Sequence, residues 1–232
     1  QKYSAGGSAN GFYGVHTPDG SKIWAVGEGG RVFVSSNSGS SWEQQNSGGI
    51  AERLNSVYFT DVSTGYAVGN SGRVIKSTSA GDNWIDLGQM TGTPNLYSVY
   101  FITPSTGFAA GAGGKLFKTS DGGSSAWQET ATGTTDDIRK IFFIDETTAF
   151  MATAGGKILK SSDGGNTWAA TSASDNALYS VAFISPLQGV AVGDKKTILR
   201  TTNGGANWVI VSSAASGVLY SVTYLTPSVL AA

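Results

Sequence analysis

Five arginines (Arg31, Arg53, Arg73, Arg139 and Arg200) and two adjacent acid pairs, Asp136-Asp137 and Asp145-Glu146, are the side chains best suited to chemistry in this 232-residue sequence. Clustered guanidinium groups hold carboxylates, and paired acids exchange protons at glycosidic bonds. Arg31, Arg73 and Arg200 fall in columns that recur along the chain, so only Arg53 and Arg139 are singular, too few for an arginine triad. The acid pairs fall at expected strand ends, where turns take acids to receive backbone amides. With no cysteine, a thiolate nucleophile, a thiolate metal site and a disulfide framework are all excluded. His16 stands alone and is expected as a half-exposed polar residue of an ordinary strand rather than a metal ligand. Phosphate loops and a serine nucleophile elbow are missing too. These residues point to a non-enzymatic protein with no cofactor and no metal.

Two columns of repeated positions offer binding chemistry instead. The first holds Tyr13, Asn55, Tyr97, Arg139, Tyr179 and Tyr220, with Arg139-Lys140 standing where other copies read Tyr-Ser. Brought into register, these side chains would stack on sugars or grip a partner's side chain, because tyrosine pairs a flat apolar face with a polar tip. The same tyrosines would equally serve as half-buried strand residues. The second is a pair of basic columns, Arg31, Arg73, Lys115 and Lys157 followed by Lys76, Lys118, Lys160 and Arg200. They form either a belt for an acidic partner or charges that keep exposed strands soluble.

The elements that must position these columns follow from an internal repeat. Trp42, Trp84, Trp127, Trp168 and Trp208 are spaced by 42, 43, 41 and 40 residues. Val15, Val57, Val99, Ile141, Val181 and Val222 keep nearly the same step. Within one copy, Leu96 to Phe101, Gly107 to Gly111 and Lys115 to Thr119 are short β-prone runs, and Gly or Pro separates them. Four short strands in about forty residues make a propeller blade, whereas most solenoid repeats of that length are helical. The expected fold is therefore an all-β propeller in one domain, with blades at about 12–53, 54–95, 96–137, 138–177 and 178–217. A partial sixth blade at 218–232 would be completed by residues 1–11 as a closing strand. The Val/Ile column should line the core between blades, and the tryptophans should cover blade edges. Ala25, Ala67, Ala109, Ala152 and Ala191, with their flanking glycines, should let neighbouring sheets approach closely.

Composition agrees with this fold and narrows the partners. Charged residues make up 13% of the chain and glycine numbers 33, which suits many short strands and tight turns. A net charge of −1 supplies no cationic field for nucleic acid or an anionic membrane. Neither an apolar run of membrane-spanning length nor a signal-peptide pattern is present. Low charge, many hydroxyl residues and no cysteine suggest a secreted prokaryotic protein, extracellular or periplasmic.

Before each tryptophan of the column lies a distinctive turn, read best at Ser161-Ser-Asp163-Gly-Gly165-Asn-Thr-Trp168 and varied around Asn37, Asp121 and Asn203. It resembles the Asp-box of the BNR repeat; the copy before Trp84 has lost its acid, and the copy before Trp127 carries one extra residue. Joined to Leu-x-Ser-Val-x-Phe and Gly-x-Ala-Val-Gly, it resembles propellers of the photosystem II stability and assembly factor family, whose relatives include many secreted bacterial proteins. The resemblance extends over essentially the whole chain and implies a structural or protein-interaction scaffold. Two alternatives stand beside it. One is a self-assembling filament subunit that exchanges or docks strands at the unfinished sixth blade. The other is a glycan-binding or sialidase-like glycosidase, since sialidases share the Asp-box.

Overall fold

The computed structural model describes residues 11–226 and 229–231. Five consecutive stretches each form a four-stranded sheet whose spatial order is the chain order, the meander of a propeller blade. The first blade is β1 (Phe12–His16), β2 (Ile23–Gly27), β3 (Val32–Ser35) and β4 (Glu43–Gln45); the second is β5 (Leu54–Phe59), β6 (Gly65–Gly69), β7 (Arg73–Ser77) and β8 (Ile85–Gln89). The third is β9 (Leu96–Phe101), β10 (Gly107–Gly111), β11 (Leu116–Thr119) and β12 (Gln128–Thr130). The fourth is β13 (Ile138–Phe143), β14 (Ala149–Thr153), β15 (Lys157–Ser161) and β16 (Ala169–Ser172). The fifth is β17 (Leu178–Phe183), β18 (Gly189–Gly193), β19 (Ile198–Thr201) and β20 (Val209–Ser212). In the sixth copy β21 (Thr223–Thr226) pairs with β22 (Val229–Ala231). The strand expected from residues 1–11 lies almost wholly outside the described residues. The chain divides into two compact units, 1–109 with 117–128 and 110–116 with 129–232.

In each unit, seams between successive blades are built from aromatic triads. An aromatic on the second strand of one blade lies flat on the last phenylalanine of the next blade's first strand, and that blade's tryptophan meets the phenylalanine edge-on. In the first unit Trp24 stacks on Phe59 at 3.6 Å and Tyr66 on Phe101 at 3.9 Å. Trp84 and Trp127 approach those phenylalanines at 5.8 and 5.9 Å, nearly perpendicular. In the second unit Phe150, Phe183 and Trp208 repeat the arrangement. Stacked and edge-on geometries each add about 0.5–1.5 kcal/mol beyond area burial, because ring edges and faces carry opposite partial charge. Gly65, Gly107 and Gly189 lie against these phenylalanines, and a Cβ there would fall 2.4 to 2.6 Å from ring carbons.

The turns that precede the tryptophan column complete the seams. Ser161 Oγ accepts the Gly165 amide, and Asp163 Oδ1 accepts the amides of Asn166 and Thr167, so the turn closes on its own backbone. Its carbonyls face the preceding blade. Tyr66 Oη and Lys76 Nζ both donate to Gly122 O, at 2.9 and 2.8 Å, and Lys160 Nζ donates to Gly204 O at 2.8 Å. The second basic column thus holds blades together at these positions. In the other column Arg73 bridges Glu52 and Asp86, Lys115 meets Glu129, and Lys157 meets Asp136. Each of these charges has an internal partner, which argues against an open belt for an acidic ligand.

Four expectations need correction. Val57, Val99, Ile141, Val181 and Val222 are buried as expected, but Val15 is 67% exposed. In the fourth blade Met151, not Ala152, stands opposite Ile141 in the place of Ala67 and Ala191. The glycines after the alanine column serve their own blade rather than a neighbour: a Cβ on Gly69 would meet Arg53 O, and one on Gly193 would meet Ala177 O. The tryptophan column is also uneven, with Trp84 and Trp127 buried and Trp42, Trp168 and Trp208 half-buried.

Candidate functional site

The first strand of a blade does not run regularly into its partner. Pairing slips between Phe12 and Gly14, Leu54 and Ser56, Ile138 and Lys140, and Leu178 and Ser180. The skipped residues are Tyr13, Asn55, Arg139 and Tyr179, four members of the varied column. A β-bulge leaves its extra residue outside the ladder and redirects the side chain. The bulge is anchored behind, where the amides of Asn70, Ala154 and Asp194 donate to the carbonyls of Arg53, Asp137 and Ala177.

In the first unit the column divides in two ways. Asn55 is buried, and its Nδ2 donates to Leu96 O at 2.7 Å and to Asn70 Oδ1 at 3.0 Å, so its amide ties the second blade to the third. Tyr13 is 52% exposed, with the Arg53 guanidinium 4.6 Å from its ring centroid. Tyr97 is half-buried. In the second unit three members form a continuous run. Arg139 lies 5.9 Å over Tyr179 while its Nη2 donates to Asp137 Oδ2 at 2.9 Å. Tyr179 in turn meets Tyr220 at 5.4 Å, tilted by 47°. Tyr220 is 71% exposed, so the run passes from a half-buried cation to an open aromatic face. Lys140, beside Arg139, is half-buried, and loss of hydration holds its amine below the usual lysine range.

Three of the acids singled out in the sequence, Asp136, Asp137 and Asp145, are occupied structurally. Asp136 meets Lys157 and Asp137 meets Arg139, while Asp137 Oδ1 also accepts the Gly113 amide. Asp145 Oδ1 receives the amides of Thr147 and Thr148, and these bonds with the Thr147 hydroxyl pull its pKa down. Arg73 is taken up by two carboxylates and Arg53 by Tyr13. None of these acids combines with a free arginine among the described residues.

A second cluster was not anticipated. One position beyond the Val/Ile column stand His16, Tyr58 and Tyr100, whose rings meet at 4.4 and 4.9 Å, tilted by 35° and 44°, within the first unit. His16 Nδ1 accepts the Phe59 amide at 3.1 Å, so this imidazole ties β1 to β5. Burial, and next the neighbouring Tyr100, push the Tyr58 hydroxyl well above the usual phenol range. The column His16, Tyr58, Tyr100 and Phe142 was present in the sequence at the blade period and carried the signal.

Comparison with known proteins follows the same lines. The family model of the photosystem II assembly factor YCF48 matches residues 4–78. A search of curated protein sequences returns no significant relative. Among solved structures, YCF48 bound to a D1 peptide superposes with a TM-score of 0.73 at 20% identity, over 94% of this chain and 73% of that one. YCF48 from Cyanidioschyzon merolae gives 0.55 at 16% identity, over 93% and 90%. An ancestral GH74 enzyme gives 0.73 at 17% identity, over 93% of this chain and 34% of the enzyme. The chain is thus a BNR-type β-propeller resembling the photosystem II assembly factor, a fold that an enzyme also uses.

Proposed function

We propose that this chain is a non-enzymatic, protein-binding propeller that holds a polypeptide segment against the run Arg139, Tyr179 and Tyr220. One observation carries the reading: these three side chains are contiguous, and the outermost, Tyr220, is open to solvent. Tyrosine and arginine are the residues most often decisive at protein interfaces, because they bury large rigid areas and still satisfy polar groups. The likeness to YCF48 bound to a D1 peptide supports a peptide as ligand. A scaffold role outside the cytosol rests on composition alone, on the missing cysteines and the sparse charge. The test is selection of binders from a random peptide display library, followed by measurement of their affinity for Tyr179→Ser and Tyr220→Ser. At least tenfold weakening in both variants is expected, with Tyr13→Ser unaffected. Equal affinity for all variants would refute the site, and turnover of a sialoside or glucan panel would refute the non-enzymatic reading.

A second reading, self-association, draws on β20. Val209, Ile210 and Val211 are 62, 54 and 57% exposed in an outer strand, whereas β4 and β12 carry Glu43 and Glu129 at the same place. Apolar edge strands without charges add further strands readily. Light scattering over a concentration series, with Ile210→Lys as control, separates a monomer from an assembly.

A further inference from the structure

First strands of successive blades are joined through side chains. Val99 N–H is received by Ser56 Oγ in the first unit, and Val222 N–H by Ser180 Oγ in the second, both at 3.2 Å. The seam between β1 and β5 departs from this. Gly14 stands in the place of Ser56 and Ser180 and has no hydroxyl to offer. A Cβ on Gly14 would fall 2.9 Å from Ser56 Cα, so β1 lies too close to β5 for a serine. The link moves two residues along the strand, where His16 Nδ1 receives the Phe59 amide at 3.1 Å. This seam is thus held by an acceptor that titrates, where the two serine seams use hydroxyls that do not.

Only the neutral imidazole can accept. Phe59 is 1% exposed, and its ring is fixed by Trp24 at 3.6 Å and Trp84 at 5.8 Å, so its amide depends on a protein acceptor. Imidazolium carries a proton on both nitrogens, and Nδ1 would then face the Phe59 amide donor to donor. β1 packs against β2 and β5. β2 has no ionisable residue, and Trp24 stands opposite His16. On β5 the one ionisable residue is Tyr58, its ring 4.4 Å from the imidazole and its hydroxyl kept protonated by burial; Tyr100 of β9 follows beyond it. In the turns after β1 and β5, Asp19 Oδ1 receives the amides of Ser21 and Lys22, and Asp61 Oδ1 those of Ser63 and Thr64. Lys22 Nζ lies over Trp24 at 5.3 Å. The attraction of an imidazolium for the tilted Tyr58 ring is smaller than the cost of leaving a buried amide unpaired.

We infer that His16 is an acid-operated latch on the seam between the first and second blades, closed while the imidazole is neutral and released when it takes a proton. The bond belongs to the neutral ring alone, so its contribution is present above the ordinary imidazole value of about 6.5 and is lost as pH falls below it. Release frees the Phe59 amide and the edge of β5 that faces β1, while the serine seams keep their bonds over the same range. The latch lies wholly within the first unit and does not rest on the peptide run around Tyr179 and Tyr220.

The experiment is amide-resolved hydrogen exchange on the whole chain at about pH 7.5 and about pH 5.5, on either side of the ordinary imidazole value, with the imidazole nitrogens followed by NMR. In the wild type the unprotonated nitrogen at the higher pH is expected to be Nδ1. The protection factor of Phe59 should fall about tenfold at the lower pH, the loss of one buried hydrogen bond, while that of Val99, received by a hydroxyl, holds. His16→Asn places an amide oxygen near the position of Nδ1 and should protect Phe59 equally at both pH values. His16→Phe keeps a ring beside Tyr58 without an acceptor and should leave Phe59 weakly protected at both. Should either variant fold poorly, the contrast between Phe59 and Val99 in the wild type decides alone. The latch is overturned if Nδ1 carries the proton of the neutral ring, if Phe59 and Val99 respond alike, or if His16→Asn keeps the wild-type response.

Discussion

Gly107→Ala adds one methyl group at a place where the structure leaves no room for it. The new Cβ would lie 2.5 Å from two ring carbons of Phe101, about 1 Å inside the ~3.5 Å optimum for carbon contacts. The ring cannot retreat. Tyr66 is stacked on it at 3.9 Å, Trp127 meets it edge-on at 5.9 Å, and Tyr58 lies over it at 6.3 Å. Phe101 is only 3% exposed, so displacing it disturbs the whole seam between the second and third blades. Overpacking of a filled core costs about 1–3 kcal/mol, while replacing a strand glycine by alanine returns about 0.5–1 kcal/mol of backbone entropy. The net expectation is a loss of about 1–2 kcal/mol in urea unfolding, read from the midpoint at unchanged slope. The same substitution in a Phe101→Leu background should be neutral or slightly stabilising, because the opposing ring carbons are gone. Equal losses in both backgrounds would show that the glycine serves the backbone and that the ring contact is irrelevant.

Trp84→Ala should cost about 3–5 kcal/mol, since Trp84 is buried and edge-on to Phe59, whereas half-buried Trp42 should cost clearly less; equal losses in thermal or urea unfolding would contradict the uneven column. Acid should weaken the turns built on Asp121 and Asp163. Asp121 and Asp163 are held at about 2, chiefly by the hydroxyls of Ser125 and Thr167, against an unfolded value of 3.8. A depressed folded pKa gives stability that is present above the unfolded value and lost as pH falls toward the folded one, so the urea midpoint should drop between about pH 5 and about pH 2.5. Asp121→Asn with Asp163→Asn should reduce that drop, because Asn37 and Asn203 already accept the equivalent amides through Oδ1. An unchanged drop would assign the acid sensitivity elsewhere.

The blade pattern was legible in the sequence because each strand, turn and tryptophan recurs at one period, and recurrence reports what every blade needs. The same logic hid other features. Trp24 lies outside the tryptophan column, yet it is fully buried and donates to Ala80 O, since it fills the place held by Tyr66 and Phe150 in later blades. The bulges at Tyr13, Asn55, Arg139 and Tyr179 leave no mark in residue type, because an extra strand residue differs from its neighbours only in pairing. Asn55 and Tyr179 looked equivalent by position, and the structure separates them: one amide is consumed by Leu96 and Asn70, while one ring meets an exposed tyrosine. The second basic column read as surface charge because a lysine's acceptor, here a glycine carbonyl 44 or 46 residues further on, cannot be seen from the lysine.

The central claim, that this propeller binds polypeptide through the run in its second unit, is tested most directly by amide exchange with a library-selected peptide bound and free. Protection is predicted to concentrate on the segments around Arg139, Tyr179 and Tyr220, and to vanish in Tyr179→Ser. Protection confined to the outer strands β4, β8, β12, β16 and β20, unchanged by that substitution, would contradict it.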